Sequence, residues 1–185
     1  KAMDTAVDTL LATATTKLTQ DLSSVKPEQR GMAAYYLGSA GAKGSKNAIA
    51  NLMEDTDPVV RQRAATALAL LGEKTGPLLG LLRKATTDKN PLVQVASLGA
   101  LGRARDTGAT GVVVEALSAK NSDVLVAAIG TAGTLKASKA IGRLKSLSAH
   151  KETGVSHAAI TALGQIGGKQ STAALKELAG RPRHP

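Results

Sequence analysis

The sequence predicts an all-α protein: one domain built as a stack of about five antiparallel helix pairs plus a closing helix, an α-solenoid in architecture. Three observations carry this. One segment pattern recurs five times along the 185 residues. Each copy opens on residues suited to a helix start. The composition is 43% hydrophobic but only 1% aromatic, with no Phe or Trp, so the core must be made of Leu, Val, Ile and Ala. Small apolar side chains let helix backbones approach closely, which favours packed helices.

The fullest copy is 57–72, DPVVRQRAATALALLG. Asp57 can cap the N-terminus, and Pro58 fits the first helical position, where its missing N–H costs nothing. Val60, Ala64, Leu68 and Leu71 share one face, and Gly72 can take the left-handed stop. With Leu68 as anchor, the equivalents are Leu37, Leu101, Ala132 and Leu163, spaced 31 to 33 residues apart. Four positions earlier stand Ala33, Ala64, Ser97, Ala128 and Ala159, and eight earlier Gln29, Val60, Val93, Val124 and Val155. The helix starts are Pro27, Pro58, Pro91, Ser122 and Thr153. Ahead of them stand Lys26, Asp57, Asn90, Asn121 and Glu152, of which all but Lys26 suit the positive end of a helix.

Shorter amphipathic segments alternate with these copies, at about 46–54, 76–84, 110–119, 138–149 and 171–179. A Thr-rich segment at about 4–22 precedes the first copy and reads as an N-terminal cap, with Val7, Leu10, Leu11, Ala14 and Leu18 as its buried face. The repeats then run at approximately 4–42, 43–73, 74–105, 106–136 and 137–168, followed by a closing helix at 170–180 and a frayed tail to 185. Glycine-rich stretches at 41–44 and 167–169 serve as joints.

The pattern D-P-x-V-R-x-x-A-A-x-A-L, carried by Asp57, Pro58, Val60, Arg61, Ala64, Ala65, Ala67 and Leu68, resembles a HEAT repeat. The period of about 31 resembles the HEAT-like subtype of the phycobilin lyases. The resemblance implies a right-handed superhelix, and a ladder in which an acidic residue pairs with an Arg of a successive repeat. Here the Arg column reads Arg30, Arg61, Gln94, Leu125 and Ser156, so the ladder is expected only near the N-terminus, with Asn90 and Gln94 as a neutral substitute. In function the resemblance implies a protein-binding scaffold or adaptor, in some cases a subunit of a larger complex, or a lyase- or chaperone-like subunit acting on a bilin-bearing protein.

Enzyme motifs are close to absent from the sequence. His150, His157 and His184 form no H-E-x-x-H or H-x-x-x-H spacing. Deoxyhypusine hydroxylase is similar in architecture, but its iron-binding His-Glu dyads have no counterpart. The stretches 41–45 and 168–169 do not complete a phosphate loop. The absence of cysteine excludes disulfides and thiolate metal sites. No catalytic residue, metal or cofactor is expected. No stretch approaches about 18 consecutive apolar residues, so no membrane-spanning helix is expected. The chain opens on Lys1 with no signal peptide to read, which leaves its compartment unknown, cytoplasmic or exported.

The net charge of +10 is uneven: 12 Lys/Arg against 9 Asp/Glu in residues 1–100, and 12 against 5 in residues 101–185. The densest basic group is Lys136, Lys139, Arg143, Lys145 and Lys151, with Arg103 and Arg105 nearby in sequence. Lys136, Lys139 and Arg143, at i, i+3 and i+7, could form one anion-binding strip. Without aromatic platforms such a strip would contact phosphates with little base readout. Similarity to the HEAT-like alkylpurine glycosylases is one of architecture only. Nucleic acid is therefore the alternative partner, and another protein the leading one.

Two copies depart from the amphipathic pattern. Segments 91–102, PLVQVASLGALG, and 124–133, VLVAAIGTAG, are apolar or small nearly all round. Leu92, Val95, Gly99, Val126 and Gly130 fall away from the core stripe. Either neighbouring helices bury them, or they line an apolar groove on the inner surface that takes a partner helix or peptide. With Arg63 and Arg103 beside them, they make up the expected partner-binding surface.

Overall fold

Five helices begin at the residues the repeats mark as starts. They are α2 (Pro27–Ser39), α4 (Pro58–Leu71), α6 (Pro91–Ala104), α8 (Ser122–Thr134) and α10 (Thr153–Ile166). Between them run α1 (Ala2–Asp21), α3 (Lys46–Asn51), α5 (Gly76–Ala85), α7 (Thr110–Ala116) and α9 (Ile141–Leu147), with α11 (Gly168–Ala179) last. The computed structural model describes residues 2–72 and 76–180, with side chains from residue 9 onward. Val7 and the tail 181–185, to which the sequence assigns a buried face and fraying, lie outside those described side chains and residues. Among the described residues there are eleven α-helices and no strand.

The chain divides into two compact units, Lys1–Ala100 and Leu101–Pro185, with the boundary inside α6 rather than in a linker. In the first unit the second helices α2 and α4 lie side by side, with α1 against α2 and α3 against α4. In the second unit α8 and α10 lie side by side, with α7 against α8, α9 against α10, and α11 against both α9 and α10.

The anchor column is buried in every copy: Leu37, Leu68, Leu101, Ala132 and Leu163. So is the alanine column, where Ser97 replaces Ala and its Oγ has no hydrogen-bond partner. Backbones meet closely at the glycine after the anchor. A Cβ on Gly38 would stand 2.6 Å from Ala67 Cα, and one on Gly133 would stand 3.1 Å from Ala162 Cα. Asp57 caps α4, its Oδ1 accepting from Val59 N at 2.7 Å and Val60 N at 3.3 Å. Asn121 caps α8 in the same way. Four residues beyond each anchor the chain turns left-handed, at Gly41, Gly72, Arg105, Lys136 and Gly167, with φ between 51° and 69°.

The ladder exists in the first unit. Arg30 Nε and Nη2 donate to the two carboxylate oxygens of Asp55 at 2.7 and 2.8 Å, while Nη1 donates to the carbonyls of Ser24 and Val25. Arg61 repeats this on Asp88, both bonds at 2.8 Å, and on the carbonyls of Asp55 and Thr56. Asp55 and Asp88 also turn their own loops, accepting from the backbone N–H of Asp57 and Asn90. The hydrogen bond from Arg30 holds the Asp55 carboxyl below the usual carboxylate range, and that from Arg61 does the same for Asp88. Gln94 donates to the Asp88 carbonyl, whereas Asn90 caps α6 by accepting from Leu92 N at 2.9 Å. The next Arg position holds Leu125, and no rung forms there.

Three expectations need correction. Leu10, Leu11 and Ala14 of α1 are exposed and Leu18 is half-buried, because α2 packs on one side of α1 and no earlier pair covers the other among the described residues. The closing helix begins at Gly168, since Gly167 and Gly168 (φ 69° and 77°) complete the turn within two residues. Lys136, Lys139 and Arg143 share no helix face, because Lys136 is a left-handed stop, Lys139 lies in a 3-10 turn, and α9 begins at Ile141.

Candidate binding surface

In the second helices the positions nine, six and two before the anchor and two after it lie at i, i+3, i+7 and i+11. They form the side turned away from the buried stripe. On α6 these positions are Leu92, Val95, Gly99 and Arg103. Leu92 is 59% exposed, Val95 half-buried, and Gly99 and Arg103 exposed. On α8 Val126 is 38% exposed and Gly130 is open. A Cβ added at either Gly99 or Gly130 would find nothing within 4 Å. Leu92, Gly99, Arg103, Val126 and Gly130 therefore face solvent, whereas Val95 is partly covered. Arg63 on α4 is half-buried, its stem lying over Gly31 of α2, where a Cβ would stand 2.9 Å from Arg63 Cδ.

The first unit adds residues that the sequence reading missed. Val59 and Leu70 on α4 are exposed, as is Tyr35 on α2, whose ring meets that of Tyr36 edge-on at 5.9 Å. Val59 occupies the position of Leu92, Leu70 that of Arg103, and Tyr35 that of Gly99 and Gly130. Aligning the outward columns as well as the buried ones would have found all three.

The basic residues are dispersed, and several are engaged. Arg105 and Lys136 are the left-handed stops of α6 and α8, where positive charge favours the negative end of the helix dipole. Arg143 Nε donates to the Leu117 carbonyl at 3.2 Å, and Lys145 pairs with Glu177 of α11. Lys139 is exposed.

A cleft of about 560 Å³ opens in the first unit, lined by Met53, Asp55, Arg61, Leu81, Lys84 and Asp88 among others. Five of its charged residues are already committed: Arg61 and Asp88 to each other, Asp55 to Arg30, and Lys84 to Glu54 at 3.2 Å. His150 stands where Asp55 and Asp88 stand in their copies, and its Nδ1 accepts from Glu152 N at 3.2 Å, which makes it a turn residue. Among the described residues no three His, Cys, Asp or Glu side chains group as metal ligands, and no helix is long and apolar enough to cross a membrane.

The family of HEAT repeats matches residues 15–84, 78–153 and 110–185. No curated protein matches the sequence. Among solved structures the fold is similar to that of the complex of CpcE and CpcF of phycocyanin lyase from Nostoc sp. PCC7120. The TM-score is 0.75 at 22% identity, over 89% of this chain and 70% of that one. An engineered protein matches with a TM-score of 0.66 at 20% identity, over 90% and 85% of the two chains. A designed armadillo repeat protein in complex with the peptide (KR)4 matches at 0.64 and 18% identity, over 88% and 87%. The fold is thus all-α and of the solenoid class.

Proposed function

Because this chain belongs to the HEAT-repeat family, we propose that it is a non-catalytic scaffold that binds another protein along the outward face of its second helices. The observation that carries this reading is the pair Gly99 and Gly130. Each sits inside a helix, where glycine is about 1 kcal/mol less favourable than alanine. At Gly38 and Gly133 that loss is offset by close helix packing; at Gly99 and Gly130 no atom of the described residues lies near enough to offset it. With exposed Leu92 beside Gly99 on α6, and exposed Val126 beside Gly130 on α8, each helix by itself leaves apolar ground on which a partner backbone can settle. The structural relatives add support: CpcE and CpcF form a complex with each other, and the designed armadillo protein holds a peptide.

The reading is tested by using the chain and its Leu92→Asp/Val126→Asp variant as baits in extracts of the native source. Both sites are exposed, so folding should change by no more than about 0.5 kcal/mol per site. A partner held by the wild type should be lost from the variant. Equal capture by both would sink the proposal.

The excess of 12 Lys/Arg over 5 Asp/Glu in residues 101–185 favours nucleic acid as a second reading. Retention on DNA that falls steeply between low and physiological salt would support it, and no retention at low salt would remove it.

A further inference from the structure

Arg103, Arg105, Lys136, Lys139 and Lys169 share no helix face, yet all five stand where α6, α8 and α10 end and turn back, in the second unit. These three ends are in register. A Cβ on Gly102 of α6 would stand 3.5 Å from Thr131 Oγ1 of α8, and one on Gly133 of α8 would stand 3.1 Å from Ala162 Cα of α10, the same step of 29 residues. The turns therefore follow one another along one edge of the unit. All five cations are exposed, and none forms an ion pair among the described residues. The one acid in these turns, Asp106, is buried and accepts from Gly108 N at 3.1 Å. On the opposite edge, residues 118–123 and 148–153 hold Lys120 and Lys151 against Asp123 and Glu152, so the charge there balances. Two of the five cations also stand against the backbone's preference. The left-handed stop is glycine in three copies, whereas Arg105 and Lys136 take φ of 52° and 51°, where a Cβ crowds the following carbonyl. The helix dipole favours a cation near each C-terminus, but it does not require one at the strained residue itself.

We propose that this edge binds the phosphate backbone of a nucleic acid duplex, an inference that rests on the second reading above and gives it a site. The exposed residues beside the cations are Thr107, Gly108, Ser138 and Gln170, polar or glycine throughout. Hydroxyls and backbone N–H groups of this kind contact phosphates, whereas a protein interface wants an apolar centre. The chain has no Phe or Trp, and both tyrosines lie in the first unit, so the edge offers no platform on which unpaired bases could stack. Packed helices stand about 8–10 Å apart, so three successive turns span roughly 20 Å, over which a duplex presents about a dozen charges. Each of the five cations can then meet a phosphate.

Anisotropy of a labelled DNA duplex of about 20 base pairs, titrated with the 185-residue chain, tests this. The duplex should bind at about 0.05 M salt, and log affinity should fall against log salt with a slope of about −4.5, or about 0.9 per phosphate met. A duplex of unrelated sequence should bind equally. Arg105→Gly/Lys136→Gly should lower affinity by about tenfold or more and flatten the slope by about 2. That variant should melt no lower than the wild type, since glycine accepts the left-handed backbone. Lys120→Gln/Lys151→Gln removes the same charge from the opposite edge and should stay within about threefold of the wild-type affinity. Equal losses in the two variants would overturn the edge while leaving the second reading standing as an effect of net charge. No binding at low salt would overturn both. Poly-L-glutamate held as tightly as the duplex would overturn the proposal in favour of an acidic protein partner.

Discussion

Gly38→Ala is expected to destabilise the chain by about 3 kcal/mol, whereas Gly130→Ala, the same chemical change, is expected to stabilise it by about 1 kcal/mol. At Gly38 the new methyl would stand 2.6 Å from Ala67 Cα and 2.9 Å from the Ala67 carbonyl oxygen. These are backbone atoms, so relief requires separating α2 from α4 and loosening the packing around Leu37 and Leu68. At Gly130 the methyl enters open space, and only helix propensity changes. Urea unfolding of the two variants beside the wild type reads the sign directly. Two shifts of the same sign would mean that backbone contact at the glycine column does not govern the stack.

Arg61→Ala is expected to cost about 3 kcal/mol and to flatten the acid limb of the stability curve. It removes two hydrogen bonds to the Asp88 carboxylate and two to backbone carbonyls, and it leaves a carboxylate only 13% exposed without its cation. The pH dependence follows from the depressed pKa of Asp88. Its folded value lies below the unfolded one, so its contribution is complete above the usual carboxylate range and is lost as pH falls through the folded value. Asp55, held by Arg30, behaves alike. Wild-type stability should therefore drop below about pH 4, and the Arg61→Ala variant should drop less over the same window. Parallel curves for the two proteins would show that the ladder carries none of the acid sensitivity.

The helices of the second layer were legible because their signals are local. Pro58, Asp57, Asn121 and the anchor column act through the chain's own backbone or through a face that any stack must bury. The face of α1 was not legible: Leu10 and Leu11 have the spacing of a buried stripe, but whether a helix covers them depends on neighbours that spacing does not describe. The Arg positions of the ladder could be read as well, yet their acids, Asp55 and Asp88, lie in turns where nothing distinguishes them from Asp57 until the loops close. Arg105 and Lys136 read as a basic patch because their left-handed backbone, shared with Gly41, Gly72 and Gly167, is invisible in side-chain chemistry. The outward face was half legible. A helix apolar all round, as at 91–102, signals itself, whereas Val59 and Leu70 sit singly among polar neighbours on α4.

On the proposed function, Gly99 and Gly130 are kept open for a partner at the expense of the helices that carry them. The most direct measurement is a Gly99→Leu/Gly130→Leu double variant, assayed both for thermal unfolding and for affinity toward the partner captured by the wild type. Leucine is a strong helix former and both sites are open, so the melting temperature should rise, with about 1 kcal/mol gained per site. Affinity should fall by tenfold or more, about 1.4 kcal/mol, as the new side chains hold the partner off the surface. A stabilised variant that binds as tightly as the wild type would contradict the claim and place the partner surface elsewhere on the chain.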